Sequence, residues 1–332
     1  MIDRSVALPG FRLGSRFGLG SRSTGMRFRS RFRLVLALLA CLSLPVAAGA
    51  QEADSVLVLG RISDNPKEHY PQLKPLLDYV VPRMHDVGIT EGRILMARDA
   101  QQMNSYLRRG LVDWVTETTG NAMRLQQGSR AHPFLLTERG GVSRYHSIFF
   151  VRKNGDIHGL AGLDGHSVAF QRNASTSSYL VPAMTLLDAG LRPEILLSPR
   201  DRPSPDTVGY VFAGTEANLS AWVHKRVVDA GVISNLDWED PRVVPESFKR
   251  DFRVIHETED YPRAVELVGP GMSPKVEARL REVLLHAADD PEGREAMRQF
   301  FHTSRFLQID EASQRALQRI RDGAARVREA IE

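Results

Sequence analysis

Residues 171–182 read Q-R-N-A-S-T-S-S-Y-L-V-P and contain a run of small hydroxyl side chains. The run consists of Ser175, Thr176, Ser177 and Ser178. The apolar residues 168–170 before it predict a strand, and the apolar stretch after it predicts a helix. One hydroxyl is enough to cap a helix. The first N–H groups of a helix also attract anions, and further hydroxyls add donors. The run therefore predicts either a cap alone or an anion site at a helix N-terminus.

The charge of the chain argues against a nucleic-acid surface. The 332 residues have an ordinary globular composition and a formal charge of +4. Of the 44 basic residues eight arginines fall in the first 50, and of the 40 acidic residues only Asp3 does, so the remainder carries about −3. No basic face for nucleic acid is expected from such a balance.

The first 50 residues are typical of an export signal. Four arginines between residues 27 and 33 precede an apolar core, and Ala-Gly-Ala at 48–50 fits a cleavage site. We predict a signal peptide over residues 1–50 and a periplasmic protein, with translation starting at either Met1 or Met26. A lipid anchor on Cys41, the only cysteine, is the less favoured alternative. Cleavage after Ala50 leaves a mature chain without disulfides.

Alternating apolar patterns predict two α/β units in tandem. The order β-α-β-α-β over residues 56–116 favours a mostly parallel sheet covered by helices. Pro71 and Pro75 predict that the first helix starts only near Pro75. Several helices follow the second unit and need a surface to pack on, which a two-lobed protein with a double crossover supplies. We predict a signal peptide at 1–50, lobe 1 at 51–148 and 256–332, and lobe 2 at 149–255.

Enzyme motifs are missing from the sequence. It has no phosphate-binding loop, no zinc-protease helix motif, no hydrolase nucleophile elbow and no dinucleotide fingerprint. The ten histidines lack the spacing of metal ligands. We therefore predict no catalytic residue, no metal and no cofactor. A secreted hydrolase that uses a serine of the run as nucleophile is kept as a less favoured alternative.

Three segments of the mature chain carry patterns of a known family. Residues 157–182, I-H-G-L-A-G-L-D-G-H-S-V-A-F-Q-R-N-A-S-T-S-S-Y-L-V-P, are similar to the family pattern that ends in S-T-S-G-Y-L-x-P. Residues 214–231 resemble its G-S-H-D-A segment, and D-D-P-E-G at 289–293 resembles a late motif. The chain thus resembles the phosphate/phosphite/phosphonate substrate-binding proteins of ABC importers (PhnD-like), and the likeness extends over most of the mature chain.

The resemblance implies a type II periplasmic-binding-protein fold, with two α/β lobes, a double-crossover hinge and a ligand cleft between them. It implies an exported, monomeric solute-binding protein that gives a small oxyanion, such as phosphate or phosphonate, to an ABC permease in the inner membrane. A periplasmic sensing subunit of a membrane signalling system would have the same fold and remains the alternative.

The resemblance also implies a set of ligand-binding residues, with some departures from the family. Ser178 replaces the family glycine, Glu216 and Ala217 replace its His and Asp, and the family tyrosine is missing near residue 63. A carboxylate at Glu216 or Glu117 would repel a dianion unless it points away or pairs with a cation. The expected ligand-binding residues are Ser175, Thr176, Ser177, Ser178, Tyr179, Thr215, Glu216, Glu117, Thr118 and Ser63.

Overall fold

The computed structural model describes residues 55–331, so the predicted signal peptide and Cys41 lie outside the described residues. Within this range, no helix has the length and apolar character needed to cross a membrane. The strands are β1 Val56–Ile62, β2 Glu91–Ala97, β3 Trp114–Thr118, β4 His132–Arg139, β5 Arg144–Tyr145, β6 Ser147–Arg152, β7 Ser167–Phe170, β8 Pro193–Ile195, β9 Val208–Phe212, β10 Ala230–Ser234, β11 Phe252–Glu257, β12 Tyr261–Pro262, β13 Ala264–Val268 and β14 Thr303–Leu307. The α-helices are α1 Pro66–Val80, α2 Ala100–Arg108, α3 Thr119–Ser129, α4 Val181–Asp188, α5 Glu216–His224, α6 Asn235–Glu239, α7 Glu246–Lys249, α8 Pro274–His286, α9 Pro291–Gln299 and α10 Glu311–Ala330.

The first sheet has six strands in the order β14-β4-β13-β3-β1-β2. β1 runs parallel to β2 and β3, whereas β13 is antiparallel to β3 and β4, and β14 is antiparallel to β4. The expectation of a mostly parallel sheet is therefore wrong for this half. That expectation considered only the strands up to residue 116, and two of the three antiparallel strands, β4 and β14, were not predicted.

The second sheet also has six strands, in the order β11-β6-β10-β7-β9-β8. β10, β7, β9 and β8 are parallel, and β6 runs antiparallel to β10 and β11. All strands of this sheet lie between residues 147 and 257, and the strands of the first sheet lie on either side of that range. The chain thus passes between the sheets twice, next to the short β5–β12 ladder.

Helix α1 begins much earlier than the sequence predicts. It starts at Pro66 and continues through Pro71 and Pro75 to Val80. Each interior proline removes a helical hydrogen bond and costs about 3 kcal/mol. A buried apolar stripe offsets this cost, because fully burying one leucine or valine side chain contributes about 1.5–3 kcal/mol. The stripe comprises Leu73, Leu76, Leu77 and Val80.

The last helix, α10, contacts elements of both sheets. It packs against α3, which follows β3 of the first sheet, and against α4, which follows β7 of the second. Its approach to α4 is very close, because a Cβ atom built at Gly323 would lie 2.2 Å from Met184 Cε. The late helices therefore find the packing surface that the two-unit layout requires.

Candidate functional site

The serine run forms a tight turn that leads into α4. A π-helical turn at Thr176–Leu180 follows β7, and α4 begins at Val181. Pro182 lies in the first turn of α4, so the predicted helix start just after the run is confirmed. Ser175 Oγ accepts a hydrogen bond from Ser178 N at 3.1 Å. One hydroxyl of the run thus acts as a cap.

Thr176 and Ser177 line a cleft of about 430 Å³ between residues of the two sheets. Across it, Thr176 Oγ1 accepts a hydrogen bond of 2.9 Å from Gly120 N, in the first turn of α3. The Ser177 hydroxyl is hydrogen-bonded to the Tyr145 phenol. Six of the ten expected ligand-binding residues line this cleft: Glu117, Thr118, Ser175, Thr176, Ser177 and Glu216.

The structure places the other four residues outside the cleft lining. Ser63 is buried and its hydroxyl is hydrogen-bonded to His69 Nδ1 at 2.7 Å. Ser178 is fully buried, and Tyr179 packs edge-on against Phe170 because its position in the turn directs the ring into the core. Thr215 is exposed and caps α5 instead.

Glu117 does not present a free carboxylate to the cleft. Its Oε1 accepts a hydrogen bond of 2.7 Å from Ile62 N. Its Oε2 accepts from Thr118 N at 3.2 Å and from Asn121 Nδ2 at 3.1 Å. Donors from β1 and α3 therefore offset the negative charge, and Glu117 holds these two elements together.

Glu216, unlike Glu117, places a carboxylate where it would repel a bound anion. It is the first residue of α5 and is half-buried in the cleft wall. Burial raises its pKa, and the nearby Asp237 raises it further, while Arg172 and a hydrogen bond with Gln171 oppose the shift. Burial raises the pKa of Asp237 as well. The half-buried carboxyl of Asp237 therefore adds its charge to that of Glu216 beside the cleft.

The carboxyl of Glu216 should make phosphate binding depend on pH. As pH falls through the raised pKa of Glu216, above the ordinary 4.5, the carboxyl is neutralised and affinity should rise. Glu216→Gln should tighten phosphate binding at neutral pH about fivefold, since one repulsion at about 4 Å in water costs about 1 kcal/mol. It should also raise the melting temperature at neutral pH, because a raised carboxyl pKa removes stability as pH rises through it. Calorimetry at several pH values measures the effect.

Phosphate itself titrates in this pH range, but equally in experiments with the wild type and with Glu216→Gln. The difference between their two profiles of phosphate affinity against pH therefore reports the Glu216 carboxyl. Glu246→Gln, in the first turn of α7, is the matched control and should follow the wild type. Parallel profiles for wild type and Glu216→Gln would show that Glu216 does not face the anion.

Guanidinium groups lie in and beneath the cleft: Arg61 and Arg172 line it, and Arg139 shares the Phe301 ring with Arg61. The Cζ of Arg61 lies 4.2 Å from the ring centroid of Phe301, and the Cζ of Arg139 lies 4.8 Å from the same centroid. Arg139 is buried, and its burial and the nearby Arg61 lower its pKa to about 10, so it is still a cation at neutral pH. At the rim, Arg172 pairs with Asp64 across the cleft.

Two polar atoms beside the cleft have no partner among the described residues. They are the Nε of Arg61 and the Oγ1 of Thr118, both of which are buried. Buried donors of this kind are costly to leave unpaired. Sequence reasoning missed Arg61 because its supports, Arg139 and Phe301, are distant in the chain.

The backbone beneath the cleft is held in an unusual conformation. Phe301 and His302 have φ values of 52° and 54°, in the left-handed region. Such a conformation costs about 1–2 kcal/mol for each non-glycine residue. It places the Phe301 ring against the Arg61 and Arg139 guanidinium groups. This strained backbone therefore lies behind Arg61, which lines the cleft.

Two α/β halves with a cleft of hydroxyls, helix N-termini and cations define a periplasmic substrate-binding protein of type II fold. Residues 60–314 match the family model "ABC transporter, phosphonate, periplasmic substrate-binding protein", and the chain belongs to this family. The family consists of substrate-binding components of ABC transporters and not of enzymes. The predicted family and fold are therefore confirmed, and membership implies a small ligand, a permease partner and a periplasmic location.

Solved structures resemble the chain at two levels. XAC2383 from Xanthomonas citri bound to chloride ion is 55% identical, with a TM-score of 0.79, over 83% of this chain and 100% of that one. The same protein bound to ATP is 54% identical, with a TM-score of 0.79, over 84% and 100%. PhnD1 from Prochlorococcus marinus (MIT 9301), in complex with methylphosphonate, has a TM-score of 0.58 and 15% identity over 83% and 99%, so it shares the fold alone.

Proposed function

We propose that the chain is an exported solute-binding protein that holds a phosphoryl-bearing anion in its cleft and delivers it to an ABC permease. The observation that carries the proposal is the hydrogen bond between Thr176 Oγ1 and Gly120 N. It brings the hydroxyl run and the N-terminus of α3 to the two sides of one cleft. Both are sources of hydrogen-bond donors for an anion.

The donors available to an oxyanion come from both halves. The Thr176 oxygen accepts from Gly120 N, which leaves its hydrogen to donate. The amides of Thr176 and Ser177 precede the first hydrogen bond of the turn, Leu180 N to Ser175 O at 3.0 Å. The unpartnered Arg61 Nε and the Thr118 hydroxyl lie beside the same space.

The relative XAC2383 supports an anionic ligand. It is bound to chloride ion in one structure and to ATP in another, and both are anions. At 55% identity over 83% of this chain, a ligand of the same charge is the natural expectation here. We further propose that the protein acts as a monomer and that the signal peptide is cleaved after Ala50.

A thermal-shift screen of the purified periplasmic protein tests this function. Orthophosphate, methylphosphonate, ATP, chloride and a sulfonate are compared with neutral sugars as controls. An anion at 100 times its dissociation constant should stabilise the protein by about 2.7 kcal/mol. If no anion raises the melting temperature, the proposed function is wrong.

A further inference from the structure

A second cavity adjoins the cleft and is larger than it. Its volume is about 760 Å³, compared with about 430 Å³ for the cleft. The two cavities share a wall formed by Ile62, Arg98, Asn121, Asn173 and Ala174. The shared residues place the second cavity directly beside the cleft, next to the distal part of a ligand anchored at the hydroxyl run.

The lining of the second cavity is strongly cationic, and we name it the arginine groove. The lining contains four arginines and only one carboxylate, that of Asp99. Asp99 is already engaged, because Oδ1 accepts from Gln102 N at 2.8 Å and Oδ2 lies 3.3 Å from Arg98 Nε. The groove therefore has an excess of positive charge. Its arginines are Arg98, Arg108, Arg124 and Arg328.

The arginines come from elements that meet at the shared wall. Arg124 lies one turn after Asn121 on α3, and its Nη1 donates to Asn173 O at 3.1 Å. Arg108, at the end of α2, donates one N–H to Gly128 O at 2.6 Å out of the five that a guanidinium carries. Arg328 is an exposed residue of α10. Three helices thus direct cations to one groove.

The size of the cleft also points to an extended ligand. At about 30 Å³ per water molecule, the cleft alone has room for roughly 14 waters, which is several times the space that one tetrahedral anion fills. The Oδ1 of Asn104, which lines the groove, is buried without a partner in the described part of the chain. A hydroxyl or amino group attached to a phosphoryl chain would satisfy it.

We propose that the arginine groove binds the distal anionic groups of the ligand, and that the ligand is a chain of two or more phosphoryl groups, free or attached to a nucleoside. This inference rests on the proposed function and adds the ligand class. Bidentate contacts between guanidinium and phosphoryl oxygens are the strong form of such recognition. Arg108 and Arg328 line the groove but not the cleft, so they can be tested separately from it.

Calorimetry on the periplasmic protein with orthophosphate, pyrophosphate, tripolyphosphate and ATP is the test. Affinity should increase with chain length, by about tenfold or more from orthophosphate to tripolyphosphate. The double variant Arg108→Gln/Arg328→Gln should remove most of this gain and change orthophosphate affinity by less than about threefold. Arg109→Gln, an exposed neighbour of Arg108 outside the groove lining, is the matched control. ATP binding more tightly than tripolyphosphate would identify a nucleoside compound.

The outcomes separate the two proposals. The groove proposal is overturned if tripolyphosphate binds no better than orthophosphate, or if the double variant keeps the gain. If orthophosphate still binds, and loses affinity in Thr176→Val, the proposed function stands without the groove. If neither orthophosphate nor ATP binds the wild type, both proposals are wrong. Circular dichroism of each variant checks that it is folded.

Discussion

Thr176→Val is expected to weaken orthophosphate binding by about 10- to 150-fold. The substitution keeps the shape of the side chain and removes its hydroxyl. A hydrogen bond to a charged group is worth about 1.5–3 kcal/mol, which corresponds to this range of dissociation constants. The same change leaves the buried Gly120 N–H without its acceptor at 2.9 Å. The contact between α3 and the serine run across the cleft is therefore disfavoured as well. Calorimetry measures the affinity.

Ser175→Ala is the control within the same run. Ser175 Oγ caps the π-helical turn, and loss of a cap typically costs about 1 kcal/mol of stability. This variant should melt at a lower temperature and retain most of its phosphate affinity. The hypothesis that the run binds an anion is wrong if Thr176→Val also lowers only the melting temperature and binds phosphate as the wild type does.

Gly120→Ala should weaken phosphate binding by about 5- to 150-fold while favouring helix α3 itself. A Cβ at this position would lie 2.8 Å from Thr176 Oγ1 and 2.9 Å from Leu180 Cδ2. Overpacking of this kind costs about 1–3 kcal/mol. Alanine is nevertheless a better helix former than glycine by about 0.8–1.0 kcal/mol. Affinity and local helix stability should therefore change in opposite directions.

Small-angle scattering in the presence of saturating phosphate provides the second measurement. The two halves should remain further apart in Gly120→Ala, which gives a larger radius of gyration than in the liganded wild type. Gly162→Ala is the control, because its Cβ would come no closer than 3.4 Å to another atom, Ile157 Cγ2. A Gly120→Ala variant that binds and compacts like the wild type contradicts the cleft described above.

The local sequence was sufficient for the turn at the serine run. Proline is best tolerated in the first turn of a helix, so Pro182 predicts that the helix begins close to it. The apolar residues 168–170 form a buried strand. The serine run was therefore correctly predicted to connect this strand to the helix. The direction of each side chain did not follow. A π-helical turn rotates successive residues differently from an α-helix, and Tyr179 consequently lies in the core whereas Thr176 faces α3.

Helix α3 was not predicted from the sequence, although it forms one side of the cleft. Its sequence, T-G-N-A-M-R-L-Q-Q-G-S, contains two glycines and an asparagine, which are poor helix formers. Tertiary packing compensates, since Ala122, Met123 and Leu125 are buried. The stacking of Arg61 and Arg139 on Phe301 could not be predicted either. It joins residues 61, 139 and 301, and only the folded sheets bring them together.

The contact between Gly323 of α10 and Met184 of α4 has a mechanical consequence. Backbone without a side chain presents a smooth surface, and a methionine with three rotatable bonds adapts its shape to it. At this point the contact is therefore made between helix backbone and one flexible side chain. The buried residues of α10 and of the second half belong to one hydrophobic core, so a movement between them has to be taken up by adaptable side chains such as Met184. Gly323→Leu would introduce a side chain where even a Cβ lies 2.2 Å from Met184 Cε, and would force the two helices apart.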